Sequence, residues 1–162
     1  MKIKIKGIYP ERSEDAPFIG ALICSDNCNF NCVDCCNDDL KFLPSEYVND
    51  YKIIQKVKSN PFNKGIILGG LEWTLQPKEM IRLIELALNN QLEVILYTGI
   101  DLAVLINKFP ELLNYNIYIK TGRYIEELKT NDNIQYGIKL ASLNQKINQI
   151  KNKYILYEGE IN

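Results

Sequence analysis

Three short apolar runs, each halted by glycine, constrain this chain most. Gly65-Ile-Ile-Leu-Gly-Gly70, Leu92-Glu-Val-Ile-Leu-Tyr97 before Thr98-Gly99, and Asn116-Ile-Tyr-Ile-Lys120 before Thr121-Gly122 read as buried strands ending in loops. Helical patterns lie between them. Met80, Ile81, Ile84 and Leu88 fill one face of a helix opened by Gln76-Pro77, with proline suited to the first turn. A shorter helix runs from Asp101 to about Lys108. Earlier, Lys and Ile alternate over 2–8 as in a half-exposed strand, and Phe18-Ile-Gly-Ala-Leu-Ile-Cys24 reads as a buried one. Val48, Tyr51, Ile54 and Val57 predict a helix over 45–58 with Ser45 as its N-cap. A short helix is expected at 123–129, and Lys153-Tyr-Ile-Leu-Tyr157 reads as a last strand. Strands alternating with helices at these spacings indicate βαβ units and a mainly parallel sheet. Ligands of such sheets sit beyond the carboxyl ends of the strands, so the three glycine-marked ends should line the functional edge. No repeat or shift of composition marks a second domain, so a single small α/β domain over 1–162 is expected.

The composition, 46% hydrophobic and 24% charged, is that of an ordinary globular chain. Lys and Arg number 19 against 20 Asp and Glu, a net charge of −1, so no nucleic-acid partner is implied. No segment approaches the roughly 18 apolar residues of a membrane span. The opening Met1-Lys-Ile-Lys-Ile-Lys-Gly7 lacks the apolar run of a signal peptide. Histidine is absent, which excludes Ser-His-Asp hydrolysis, Cys-His proteolysis and HExxH zinc chemistry. All five cysteines fall between Cys24 and Cys36. Disulfides within so short a window would close strained loops. The thiols are therefore expected to be ligands in a reducing compartment, the cytoplasm.

Cys28, Cys32 and Cys35 have the spacing C-x3-C-x2-C, and three thiolates on one tight loop can hold three irons of a cubane cluster. The fourth iron then has no protein ligand and stays open. The cysteine spacings do not match the full set of four that ferredoxins supply, and no second Cys or His pair for structural zinc follows Cys36. On spacing alone, two other readings stay open: incidental buried cysteines, or a local zinc site completed by Cys24 or Cys36. Cys24, ending an apolar run, reads as a small buried residue, whereas Cys36, next to Cys35, stays open as a spare thiol or one that accepts an electron or repairs a cluster.

This cysteine loop resembles the signature of the radical S-adenosylmethionine enzymes. Gly69-Gly70-Leu71-Glu72 looks like the Gly-Gly-Glu turn of that superfamily, with Leu71 inserted before the acid. Position 34, often aromatic there, is Asp34. Further matches are to the activating proteins of anaerobic (class III) ribonucleotide reductases: Gln76-Pro77, Leu96-Tyr97-Thr98-Gly99, Thr121-Gly122-Arg123-Tyr124, and Ala141-Ser142-Leu143-Asn144-Gln145. The likeness covers roughly residues 18–148, with Thr121 where that family has Asp. It implies a partial (β/α) barrel of the radical SAM type and a 4Fe–4S cluster on Cys28, Cys32 and Cys35. It also implies S-adenosylmethionine held by Gly69, Gly70, Glu72, Thr98, Ser142 and Asn144. The implied activity is reductive cleavage of that cofactor to a 5′-deoxyadenosyl radical, which makes a glycyl radical on the large reductase subunit. A flavodoxin or ferredoxin would supply the electron. A small radical enzyme acting on a peptide or nucleobase precursor, and a non-catalytic zinc- or cluster-binding module, are the alternative functions.

Overall fold

Lys2–Arg12 (β1), Gly20–Ser25 (β2), Gly65–Gly69 (β4), Glu93–Tyr97 (β5) and Ile117–Thr121 (β6) supply the middle of one sheet in the computed structural model, which describes residues 1–157. The last five residues of the expected 1–162 domain lie outside the described residues. Glu46–Asn49 (β3) and the pair Lys146–Lys151 (β9) and Tyr154–Tyr157 (β10) complete eight strands in the order β10-β9-β6-β5-β4-β2-β1-β3. Ile134–Gln135 (β7) and Ile138–Lys139 (β8) form a separate small hairpin.

The central strands β2, β4, β5 and β6 are parallel, as the glycine-ended runs predict. The flanks are antiparallel: β1 on β2, β3 on β1, β9 on β6 and β10 on β9. The sheet is therefore mixed, and it is open, with β3 and β10 as its two edges and no closed barrel. Its parallel strands follow one another in chain order, so each right-handed crossover moves the same way and lands on the same face.

Helices Asp50–Ser59 (α1), Pro77–Asn89 (α2) and Leu102–Lys108 (α3) accordingly share one core. There Ile53, Val57, Met80, Leu83, Ile84 and Leu105 pack on Ile66, Leu68, Val94, Leu96 and Ile119. Alternate strand residues point the other way. Ile67, Ile95 and Ile147 meet Ala16, Phe18, Ile138 and Leu140 in a second, smaller core beneath the hairpin. One face is thus covered by helices and the other only partly, which leaves room for a cleft. No helix among the described residues is long and apolar enough to cross a membrane.

Two local expectations are corrected. The helix predicted over 45–58 begins at Asp50, because Glu46–Asn49 pairs as a strand with the free edge of β1. Asn49, not Ser45, caps it, its side chain accepting from Tyr51 N at 3.0 Å. Of 123–129, only Glu126–Leu128 makes a single 3₁₀ turn.

Candidate functional site

Where β2 runs out at Ser25 the chain enters the cysteine loop, whose start is fastened from several sides. Asp26 N donates to Gln76 Oε1 at 2.8 Å, and Gln76 Nε2 donates to Lys4 O at 2.9 Å. The Asp26 carboxylate takes Lys4 Nζ at 3.1 Å and the Ser45 hydroxyl. Asn27 O accepts from Glu72 N at 2.9 Å, which ties the loop to the glycine turn after β4. Farther on, Lys41 Nζ donates to Phe30 O at 3.1 Å and pairs with Asp38 at 3.1 Å. The Phe30 ring lies so close over Gly99 that a Cβ there would stand 2.7 Å from it. Asp34 has φ 54°, a left-handed conformation that suits Asp far better than a bulky aromatic.

The turn after β4 is shaped by contact with β2. Gly70 has φ +77°, and a Cβ on it would stand 2.5 Å from Cys24 Sγ. Cys24 is fully buried beneath that turn, and burial pushes its thiol up to about 11, in keeping with a packing role. Trp73, also fully buried, pins the next residues by donating Nε1 to Ile23 O at 3.0 Å. Despite the inserted Leu71, the buried Glu72 side chain reaches the end of β5. Its Oε1 accepts from Thr98 Oγ1 at 2.9 Å, Thr74 Oγ1 at 2.7 Å and Thr74 N at 3.2 Å. Its Oε2 accepts from Gly99 N at 2.9 Å.

These loops surround one cleft of about 560 Å³ at the carboxyl ends of the parallel strands. Cys28, Cys32, Cys35 and Cys36 line it from the loop after β2, and Gly70, Leu71 and Glu72 from the turn after β4. Thr98 and Gly99 follow β5, and Lys120, Gly122 and Arg123 come from the end of β6. Of the residues expected from sequence, Cys28, Cys32, Cys35, Gly70, Glu72 and Thr98 thus share one space. Gly69, Ser142 and Asn144 do not line it. Gly69 is the last residue of β4, packed near Leu22 and Tyr97. Ser142 is fully buried and Asn144 donates Nδ2 to Arg123 O at 2.9 Å, so both brace the loop that follows β6.

Other residues escaped the sequence reading. Gln145, within the matched segment, reaches the cleft and donates Nε2 to Gly122 O at 3.2 Å. Lys120 faces the same space, its Nζ donating to Gly122 O at 3.0 Å and lying 5.5 Å from the centre of the Tyr97 ring. Desolvation lowers its ammonium to about 8, against the pull of Cys36, Glu72, Cys32 and Cys35, which raise it. The signal for Lys120 was present: a lysine ending an otherwise apolar run, on the face opposite Ile117 and Ile119. Burial also pushes the Cys28 thiol up, and a hydrogen bond with the Phe30 backbone draws it partly back.

Among the described residues no three Cys, Asp or Glu side chains are grouped as ligands of a single ion. A cubane differs from one ion in taking its thiolates on separate irons, and Cys28, Cys32 and Cys35 all line the cleft. The donor set and the open space in front of it fit such a cluster. A family model described as a 4Fe-4S single cluster domain matches residues 20–148, most of the chain. No curated protein matches it.

Proposed function

The chain belongs to the family of 4Fe-4S single cluster domains, and from that premise we propose that it is a radical S-adenosylmethionine enzyme. The observation that carries the reading is the cysteine triad opening onto the same cleft as Gly70 and Glu72. Three protein ligands leave one iron of a cubane free for a co-substrate. When bound and reduced, the cluster would deliver one electron to the sulfonium of S-adenosylmethionine, which divides into methionine and a 5′-deoxyadenosyl radical.

The protein's own contributions follow from the geometry. Cys28, Cys32 and Cys35 hold the cluster at the cleft wall. Gly70, lacking a side chain, lets a ligand approach the main chain there. Glu72 presents a carboxylate to an ammonium group, while its bonds to Thr98 and Gly99 keep the ends of β4 and β5 at a set distance. Phe30 over Gly99 keeps the cysteine loop on the sheet. Helices confined to one face of a sequentially ordered parallel sheet support a partial barrel of the radical SAM type. The substrate is a glycine residue of an anaerobic ribonucleotide reductase, which enters the open mouth of the cleft and gives up an α-hydrogen. A flavodoxin or ferredoxin supplies the electron.

Anaerobic reconstitution with iron and sulfide tests the reading. The expected product is a brown protein with about four irons per chain that forms 5′-deoxyadenosine from S-adenosylmethionine only when reduced. Cys28→Ala, Cys32→Ala and Cys35→Ala should each lose the cluster, and Cys36→Ala should keep most of it. Zinc uptake without cleavage would sink the proposal. For the substrate, a glycyl-radical EPR doublet is expected on the cognate reductase, and a silent spectrum would remove the activating role.

A further inference from the structure

Lys120 is a cation lining the cleft with no counter-ion, and unlike Arg123, Lys129 and Lys139, which line it unpaired but exposed, its side chain is half-buried. Its Nζ meets one backbone carbonyl, Gly122 O at 3.0 Å, and the face of Tyr97. Among the described residues the ion pairs engage other lysines and arginines, and none engages Lys120. A desolvated ammonium without a partner is costly, so such a site stands ready for an anion. The Glu72 carboxylate also lines the cleft, but its hydrogen bonds go to Thr74, Thr98 and Gly99 and it forms no ion pair with Lys120. The Cys32, Cys35 and Cys36 thiols line the same cleft, and once deprotonated as ligands they would act on the Lys120 charge.

We infer that the Lys120 ammonium is the counter-charge of the iron–sulfur cluster and holds its reduction potential up. The inference rests on the ligand triad proposed above. A cubane with three thiolates is anionic before reduction and gains one more negative charge when it accepts an electron. A cation fixed nearby stabilises the reduced form more than the oxidised one, and does so strongly where water is excluded. Lys120 is thus a positioning charge for electron transfer, acting through space on the cluster.

The test is an EPR-monitored redox titration of the full chain, reconstituted anaerobically and free of S-adenosylmethionine. Wild type is compared with Lys120→Met, Lys120→Gln and Lys120→Arg, with iron and sulfide measured in each. The neutral variants should titrate at a lower midpoint potential, and arginine should restore it. Neutral variants that fail to load while arginine loads would also support the pairing. An unchanged potential in the neutral variants overturns the inference, as it does if they only weaken S-adenosylmethionine binding. So does arginine behaving like methionine, or all three variants failing to load. A wild type that takes up no four-iron cluster overturns the site reading itself, and is distinguished from the other failures by its iron content.

Discussion

At the scale of single residues, the site depends on positions where one added or lost group has no room or no substitute. Gly70 combines φ +77° with a Cβ position 2.5 Å from Cys24 Sγ, so Gly70→Ala must strain the backbone and displace a buried thiol at once. A loss of about 1–3 kcal/mol is expected, read from urea unfolding of the variant. Asp50 is fully buried at the start of α1, where it accepts from Arg82 Nε at 2.8 Å and Tyr51 N at 2.9 Å and pairs with the Met1 amine at 3.2 Å. Burial pushes its carboxyl up, but these partners outweigh that and hold it below its ordinary value. Because the folded value is the depressed one, the stabilisation is complete above the unfolded value near about pH 4 and is lost as pH falls through the folded one. Unfolding measured from pH 7 down to pH 3 should show this acid loss. Arg82→Met should move it to higher pH; an unchanged profile would mean that Arg82 does not hold the Asp50 charge.

At the scale of elements, the cysteine loop has little regular structure and is positioned by what it touches. Gln76 is the main clamp, joining Asp26 N to Lys4 O across the end of β2. Gln76→Ala removes both bonds, each worth about 0.5–1.5 kcal/mol, and should raise amide hydrogen exchange at residues 26–36 while β4 and β5 stay protected. Uniform exchange across the sheet would show instead that Gln76 supports the whole fold. The motif Gln76-Pro77 is visible in the sequence, yet only the proline could be interpreted there, because its role is local. The glutamine's partners are 50 and 72 residues away along the chain. The same contrast separates Glu46–Asn49 from α1. Val48 matched the helical period of Tyr51, Ile54 and Val57, but the open edge of β1 captured that stretch as a strand. Two-residue strands such as β7 and β8 carry no period at all, and Lys146–Lys151 alternates too weakly to be read before its partner β6 is known.

At the scale of the molecule, the cluster site and the main core are separate. The larger core lies between the three helices and the sheet, whereas the cleft opens at the strand ends, beside the smaller core under the hairpin. Removing iron by chelation should therefore leave far-UV circular dichroism and cooperative unfolding in place, with added hydrogen exchange concentrated at residues 26–44. Leu83→Ala, which hollows the larger core, should cost about 2–5 kcal/mol and lower the melting temperature of apo and loaded protein alike. Global unfolding on chelation would show that the cluster is required for the fold.

Local pattern alone determined the central strands, their glycine-marked ends and α2, and singled out the cysteine triad as a candidate, since periodicity, turn chemistry and cysteine spacing are properties of neighbours in the chain. Glu72 was singled out only by the resemblance of Gly69-Gly70-Leu71-Glu72 to a Gly-Gly-Glu turn, and it lines the same cleft as the cysteines. Only the tertiary structure decided that all three helices share one face, that the sheet is flanked by antiparallel strands, and that Ser142 and Asn144 lie outside the cleft, bracing the loop whose Gly122 and Arg123 line it. It also turned Lys120 from a charge near the end of a strand into a cation lining the same cleft as the thiols. Which face of a half-buried strand meets solvent, core or cleft depends on pairings between residues far apart in sequence, and no local window contains them.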